Sequence, residues 1–277
     1  MKIKIAISPC PNDTFAFDAM IHNKIDVGGI DFDFHFLDIQ QLNERAFEEE
    51  FDVSKLSFHA FLHLQDLYFL SQSGSALGNG NGPLFVTRNQ TDIHSVNQHN
   101  VATPGKDTTA FLLFRMAYPE VKNFKHYVFN QIEEAILNQE VDSGIIIHEN
   151  RFTFEEKGLK KIADLGVFWE KTTLLPIPLG CIGLSRRIGI HLLRKIEEII
   201  RKSIQYAIEN PDSSRKFIKQ HAQNLQDEVI EKHIQTFVNE YTINLGEIGK
   251  KTVETLFQLA LKNKLIEKIQ PKLFIDF

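Results

Sequence analysis

The chain opens on Lys2-Ile-Lys-Ile-Ala-Ile7 and continues as Ser8-Pro-Cys-Pro-Asn-Asp-Thr-Phe15. No other feature constrains the fold as strongly. Ile3, Ile5 and Ile7 alternate and predict a first strand; Pro9 and Pro11 stop it, because proline brings no N–H to a ladder. Asn12, Asp13 or Thr14 then caps a helix that runs through Phe15, Phe17, Ala19, Met20 and Ile21. A strand that ends in a polar turn and enters a helix N-terminus is an α/β building block, and it collects unbonded backbone N–H groups at one point. Such turns also recur as plain structure, so the remaining segments carry the decision.

A length of 277 residues allows two lobes and a sizeable core. A net charge of −5 gives no basis for nucleic acid or an anionic membrane as partner. Phenylalanine, at 23 residues, predicts an aromatic core with a minority of rings lining a pocket. The two cysteines, Cys10 and Cys181, imply no disulfide framework. The opening apolar run is too short for a signal peptide, and no stretch approaches the roughly 18 apolar residues of a membrane span. These features predict a cytoplasmic protein.

Along the chain, strands are expected at Asp31 to Phe36, Val53 to Leu56, Tyr68 to Leu70, Leu84 to Thr87, Asn100 to Thr103, Tyr127 to Phe129, Gly144 to Ile147 and Cys181 to Leu184. Helices are expected over Asp38 to Phe47, from Ser57, over Thr108 to Ala117 and Ile132 to Leu137, and through most of the chain after His191. Gly74 to Pro83, with four glycines, and the prolines Pro176 and Pro178 mark two crossings of the chain. The fold class is therefore α/β with two lobes. Residues 1–88 and 177–277 form the larger and 89–176 the smaller, and ligand is expected in a cleft at strand carboxyl ends.

Four segments place polar residues at strand ends. The first is Ser8 to Thr14. The second is Ser54-Lys55-Leu56-Ser57, where Ser57 is placed to cap a helix and to offer a hydroxyl. The third is Pro104-Gly-Lys-Asp-Thr108-Thr109, whose hydroxyls at a helix N-terminus suit a carboxylate. The fourth is Gly144-Ile-Ile-Ile-His148-Glu-Asn-Arg-Phe152: three isoleucines predict a strand buried on both faces, with His148 at its exit as a general base or acid. Glu149 and Arg151 are placed to orient the imidazole or to pair with each other.

Other patterns carry little chemistry. Gly105-Lys106 before the threonines lacks the leading glycine and the Ser or Thr of a phosphate-binding loop. His59 and His63 have no third ligand, so no metal is expected. Neither cysteine has a catalytic setting, and the helical tail is expected to supply packing and a solvated face.

With these segments together, the chain resembles the 1,4-dihydroxy-6-naphthoate synthases of the futalosine route to menaquinone. The matching runs are Ser8 to Phe15, Lys55-Leu-Ser57, Ser75-Ala-Leu-Gly78 with Gly82-Pro83, and Pro104-Gly105 with Thr108-Thr109-Ala110. They continue through Ile146-Ile-His148-Glu with Arg151-Phe-Thr153, Leu175-Pro-Ile-Pro-Leu-Gly180 and Tyr206-Ala207. The resemblance implies the fold of type II periplasmic binding proteins and a carbon–carbon lyase without cofactor, acting on cyclic dehypoxanthine futalosine. His148 aligns with the family's proton acceptor. Lys55, Leu56, Ser57, Thr108 and Thr109 align with its substrate contacts, and Asn12 and Asp13 lie in its most distinctive run. Two rivals share the plan: a chorismate dehydratase of the same pathway and a cytoplasmic small-molecule sensor. A homodimer is the default for an enzyme of this size.

Overall fold

The computed structural model describes residues 2–89, 93–222 and 225–275. The chain divides into two compact units, Met1–Gly78 with Pro178–Phe277, and Asn79–Ile177.

The first unit holds β1 (Lys2–Ile7), α1 (Pro11–Ile21), β2 (Asp31–Phe36), α2 (Ile39–Phe47), β3 (Val53–Ser57), α3 (Phe58–Leu64), β4 (Tyr68–Leu70) and β5 (Ala76–Gly78). The chain comes back to it in β11 (Ile177–Ser185), α8 (Ile190–Glu209), α9 (Arg215–His221), α10 (Asp227–Phe237), α11 (Glu240–Ile243) and α12 (Gly246–Lys262). The sheet order is β2-β1-β3-β11-β4, with β5 paired to β11. β1 is parallel to β2 and β3, and β11 runs antiparallel to β3 and β4. Parallel neighbours need a crossover, which α1 and α2 supply.

The alternation in β1 has a direct cause. Ile3, Ile5 and Ile7 are fully buried with Phe17 and Met20 of α1 and Leu193, Ile196, Ile200 and Ile204 of α8. Ala6, on the opposite face, packs with Leu42 and Phe51. α1 is buried from Pro11 through Met20, so it runs through the interior and has no solvent face. It starts one residue before the expected caps. Cys10 takes the N-cap position without a side-chain cap bond, and Pro11, whose fixed φ suits the first helical position, draws Asn12, Asp13 and Thr14 into the first turn. In α2, Leu42 and Ala46 are buried as the spacing predicts, whereas Phe47 stays 43% exposed.

One buried carboxylate ties the sheet edge to α8. Glu197 Oε1 accepts from Ser71 Oγ at 2.9 Å and from the Gln72 amide, and no described residue bonds Oε2. Burial raises the Glu197 pKa, against the lowering effect of the Gln72 and Ser71 bonds. The folded state then binds a proton more tightly than the unfolded chain. Stability therefore falls as pH rises from the ordinary glutamate range through the raised value. Glu197→Gln keeps an acceptor for Ser71 and Gln72 and removes the titration. The expected result is a flatter melting temperature between pH 4 and pH 7, checked by thermal melts across that range; an unchanged slope would show that Glu197 does not set it.

The second unit contains β6 (Leu84–Thr87), β7 (Val101–Thr103), α4 (Thr109–Ala117), β8 (Phe124–His126), α5 (Ile132–Leu137), β9 (Ser143–Ile146), α6 (Asn150–Thr153), β10 (Lys160–Asp164) and α7 (Leu165–Thr173). Its sheet order is β10-β6-β9-β7-β8. β7, β8 and β9 are mutually parallel, while β6 is antiparallel to both β9 and β10. The carboxyl ends of β7, β8 and β9 therefore share one edge. Gly144 lets α5 lie close on the sheet: a Cβ there would stand 2.7 Å from Ile132 Cγ2.

Two expectations change in this unit. The strand expected over Tyr127 to Phe129 lies at Phe124–His126, and Phe129–Gln131 is a 3-10 turn. β10 and α7 carry no clear signal in the sequence: β10 is an edge strand that opens on two exposed lysines.

Candidate active site

In the first unit, β1 and β3 are adjacent parallel strands, so the turn after β1 and the end of β3 meet at one sheet edge. There the structure gathers Ser8, Asn12, Asp13 and Lys55. Lys55 Nζ lies 2.9 Å from Asp13 Oδ1, with both side chains at least nine-tenths buried. Asn12 Nδ2 donates to the same oxygen at 2.8 Å. Ser8 donates to Asp13 Oδ2 through its hydroxyl at 2.8 Å and its amide at 3.2 Å. Lys55 also donates to the Gly74 carbonyl at 3.3 Å.

Ser57 stands at the N-cap of α3, yet its side chain makes no cap bond there. Asn43 of α2 holds it instead, donating to Ser57 Oγ at 3.1 Å and accepting from the Ser57 amide at 2.9 Å. Leu56, between Lys55 and Ser57, is fully buried in the core. On the neighbouring strand Gly180 pairs with Ser57, and a Cβ there would crowd Lys55 Cε at 3.3 Å. Burial pushes the Cys181 thiol well above its ordinary range, with Lys55 pulling the other way, which keeps this cysteine a poor nucleophile.

In the second unit, Thr108 caps α4. Its hydroxyl donates to the Gly105 carbonyl at 2.9 Å and accepts from the Phe111 amide at 3.3 Å. Thr109 is the first helical residue, and both threonines are buried. Gly105, at φ +126°, makes the turn that sets them there.

His148 follows β9 by two residues and precedes α6. Its backbone is left-handed at φ +57°, an uncommon conformation for a residue with a Cβ. Backbone outliers of this kind concentrate at functional sites. The imidazole packs edge-on against Phe129, with ring centroids 4.9 Å apart. β9 and β7 are parallel neighbours, so His148 and the threonine turn leave the sheet at the same edge.

Arg151 does not pair with Glu149. Its guanidinium donates to the Gly82 and Gly80 carbonyls, at 2.9 Å each, and approaches Asp164 at 3.8 Å. Burial lowers its pKa, opposed by Asp164 and Glu170. Glu149 Oε2 is buried and bonded to no described residue.

Several residues beside these candidates escaped sequence reasoning. His126 ends β8 on the shared edge, and its Nδ1 lies 2.5 Å from Thr103 Oγ1. Burial lowers its pKa, with Asp107 raising it and Lys106 lowering it further, so it is neutral near pH 7. Asn43 and Phe129 likewise had no local pattern to announce their roles. The rings of His59 and His63 lie tilted to one another with centroids 5.6 Å apart, and among the described residues no three His, Cys, Asp or Glu cluster to hold a metal ion. No helix of the described residues is long and apolar enough to cross a membrane.

Comparison with known proteins shows the family. The family model for menaquinone biosynthesis matches residues 3–262. A 1,4-dihydroxy-6-naphtoate synthase of Thermus thermophilus is 36% identical over 273 residues, covering 99% of each chain. One of Streptomyces coelicolor is 38% identical over 275 residues, covering 97% of this chain and 96% of its own. The crystal structure of protein AF1704 from Archaeoglobus fulgidus superposes at a TM-score of 0.89 with 33% identity, covering 96% of this chain and 98% of that one. Solved structures with the periplasmic-binding-protein fold, only 10–13% identical, share the architecture at TM-scores of 0.60–0.72. Matched nearly end to end by the family model and by two enzymes of one name, the chain belongs to the menaquinone-biosynthesis family.

Proposed function

We propose that the chain is a 1,4-dihydroxy-6-naphthoate synthase, a lyase that converts cyclic dehypoxanthine futalosine to 1,4-dihydroxy-6-naphthoate in the futalosine route to menaquinone. The observation that carries this reading is the near-complete match to the two synthases of that name. His148 acts as general base and takes a proton from the substrate. The electron pair left behind drives cleavage of the carbon–carbon bond to the sugar-derived part, and the ring system gains aromaticity. Asn12 and Asp13 belong to the site with Lys55, Leu56, Ser57, Thr108 and Thr109, whose hydroxyls, ammonium and backbone groups receive the substrate's oxygens.

Such a reaction needs a positioned base and fixed hydrogen-bond donors, and asks for neither metal nor redox cofactor. Holding the reacting groups in place supplies much of the acceleration in reactions of this kind. The enzyme is read as cytoplasmic, and as a homodimer by default.

The test is incubation of the purified protein with cyclic dehypoxanthine futalosine, without added metal or cofactor, following the naphthoate by absorbance and mass. Product is the expected result. Binding without turnover would make the protein a sensor. Turnover of chorismate in place of the futalosine substrate would make it a dehydratase.

A further inference from the structure

We propose that Asp13 is a positioning residue: it holds the Lys55 ammonium on one bearing and does not itself bond the substrate. The proposal rests on the reading that Lys55 contacts the substrate. An ionised carboxylate offers about four lone-pair directions, and Asp13 spends all four within the protein. Oδ1 receives Lys55 Nζ at 2.9 Å and Asn12 Nδ2 at 2.8 Å. Oδ2 receives the Ser8 hydroxyl at 2.8 Å and the Ser8 amide at 3.2 Å. A substrate oxygen would find only repulsion at this carboxylate, and a substrate hydroxyl would have to displace one of these bonds.

Lys55 stands differently. An ammonium has three N–H groups. One serves Asp13 and a second the Gly74 carbonyl at 3.3 Å, and no other described residue accepts the third. Gly74 is itself fixed: its amide donates to Thr242 at 2.8 Å, its φ is +88°, and a Cβ there would come within 2.5 Å of Ile182 Cγ1. Gly180 leaves room for the lysine stem, since a Cβ there would press on Lys55 Cε at 3.3 Å and on the Leu56 carbonyl at 3.2 Å. The remaining N–H is thus held rigidly and suits a carbonyl or carboxylate oxygen. A donor ordered before binding loses little freedom when the ligand arrives.

A double-mutant cycle tests this on the full chain, using Asp13→Asn, Lys55→Met and the pair together. Two quantities are read: kcat/KM with cyclic dehypoxanthine futalosine, and the Kd of 1,4-dihydroxy-6-naphthoate by calorimetry. Loss of a charge-assisted hydrogen bond predicts about a tenfold or greater loss for Lys55→Met. Asp13→Asn in the wild-type background is expected to weaken both quantities in the same direction. In the Lys55→Met background it is expected to change them less than about twofold, because residues acting through one contact are not additive. A mere folding role for Asp13 would persist in both backgrounds, so this coupling separates the two.

Equal effects of Asp13→Asn in both backgrounds would overturn the proposal, since Asp13 would then act independently of Lys55. No effect of Lys55→Met on either quantity would instead remove the reading on which the proposal rests, and the proposal with it. Asp13→Asn leaves a buried cation without its partner. If that variant does not fold, Ser8→Ala, which removes one bond to Asp13 Oδ2, takes its place in the cycle under the same criteria.

Discussion

Replacing His148 with asparagine is expected to lower kcat by about 10²–10⁴-fold, the usual contribution of a positioned general base. Asparagine is the informative choice because of the backbone. His148 sits at φ +57°, and asparagine is one of the few residues with a side chain that occupies this region readily. Alanine would add a conformational penalty of about 1 kcal/mol at the same position, mixing a local stability loss with the chemical one. The asparagine variant should therefore melt close to wild type, with its circular dichroism unchanged, while single-turnover formation of the naphthoate falls. If the rate stays within tenfold of wild type in the folded variant, the base is another residue. His126, at the same sheet edge, would be the next to replace.

The second large effect is on stability. Gly82 passes against the first turn of α7, and a Cβ there would stand 2.3 Å from both Gly166 N and Gly166 Cα. These are backbone atoms, so no side chain can rotate away. Arg151 closes the same contact by bonding the Gly80 and Gly82 carbonyls. Gly82→Ala must displace α7 or the segment that Arg151 holds. The expected cost is about 3 kcal/mol or more, above the usual range for overpacking. For a unit of this size that corresponds to an apparent melting temperature lower by about 10 °C or more. Gly80 provides the control: it lies two residues earlier, at φ +67°, with no atom within 4 Å of an added Cβ. Gly80→Asn, which tolerates that φ, should cost far less. Differential scanning calorimetry of the two variants decides the matter, and similar losses for both would refute the close-contact explanation.

Much of this fold is written in short-range pattern. The isoleucine alternation of β1 and the Asp31–Phe36 alternation of β2 appear as strands. The helical stretch expected after His191 includes α12, Gly246–Lys262. These segments bury one face against a large core, so the period of their apolar residues is the period of the element. β10 had no such signal because an edge strand with two exposed lysines buries little. The start of α1 was misplaced because proline at the first helical position outweighed the polar residues as candidate caps.

For the site, the chain order displays which strand ends carry polar residues, since periodicity shows where each strand stops. Ser8 to Thr14, Lys55 to Ser57, the threonine turn and His148 are all legible in this way. What each side chain does there is not. Asp13 opens α1 and Lys55 lies on β3, and their 2.9 Å pairing exists because β1, which leads into α1, and β3 are neighbours in the sheet. Asn43 on Ser57, Phe129 on His148 and Arg151 on two glycine carbonyls are likewise contacts between distant segments. The sequence by itself determined most of the elements, because backbone preference and apolar period are local properties. The partners of its buried polar groups were decided only by tertiary structure, because a buried donor or charge is satisfied by whichever segment the sheet order brings beside it.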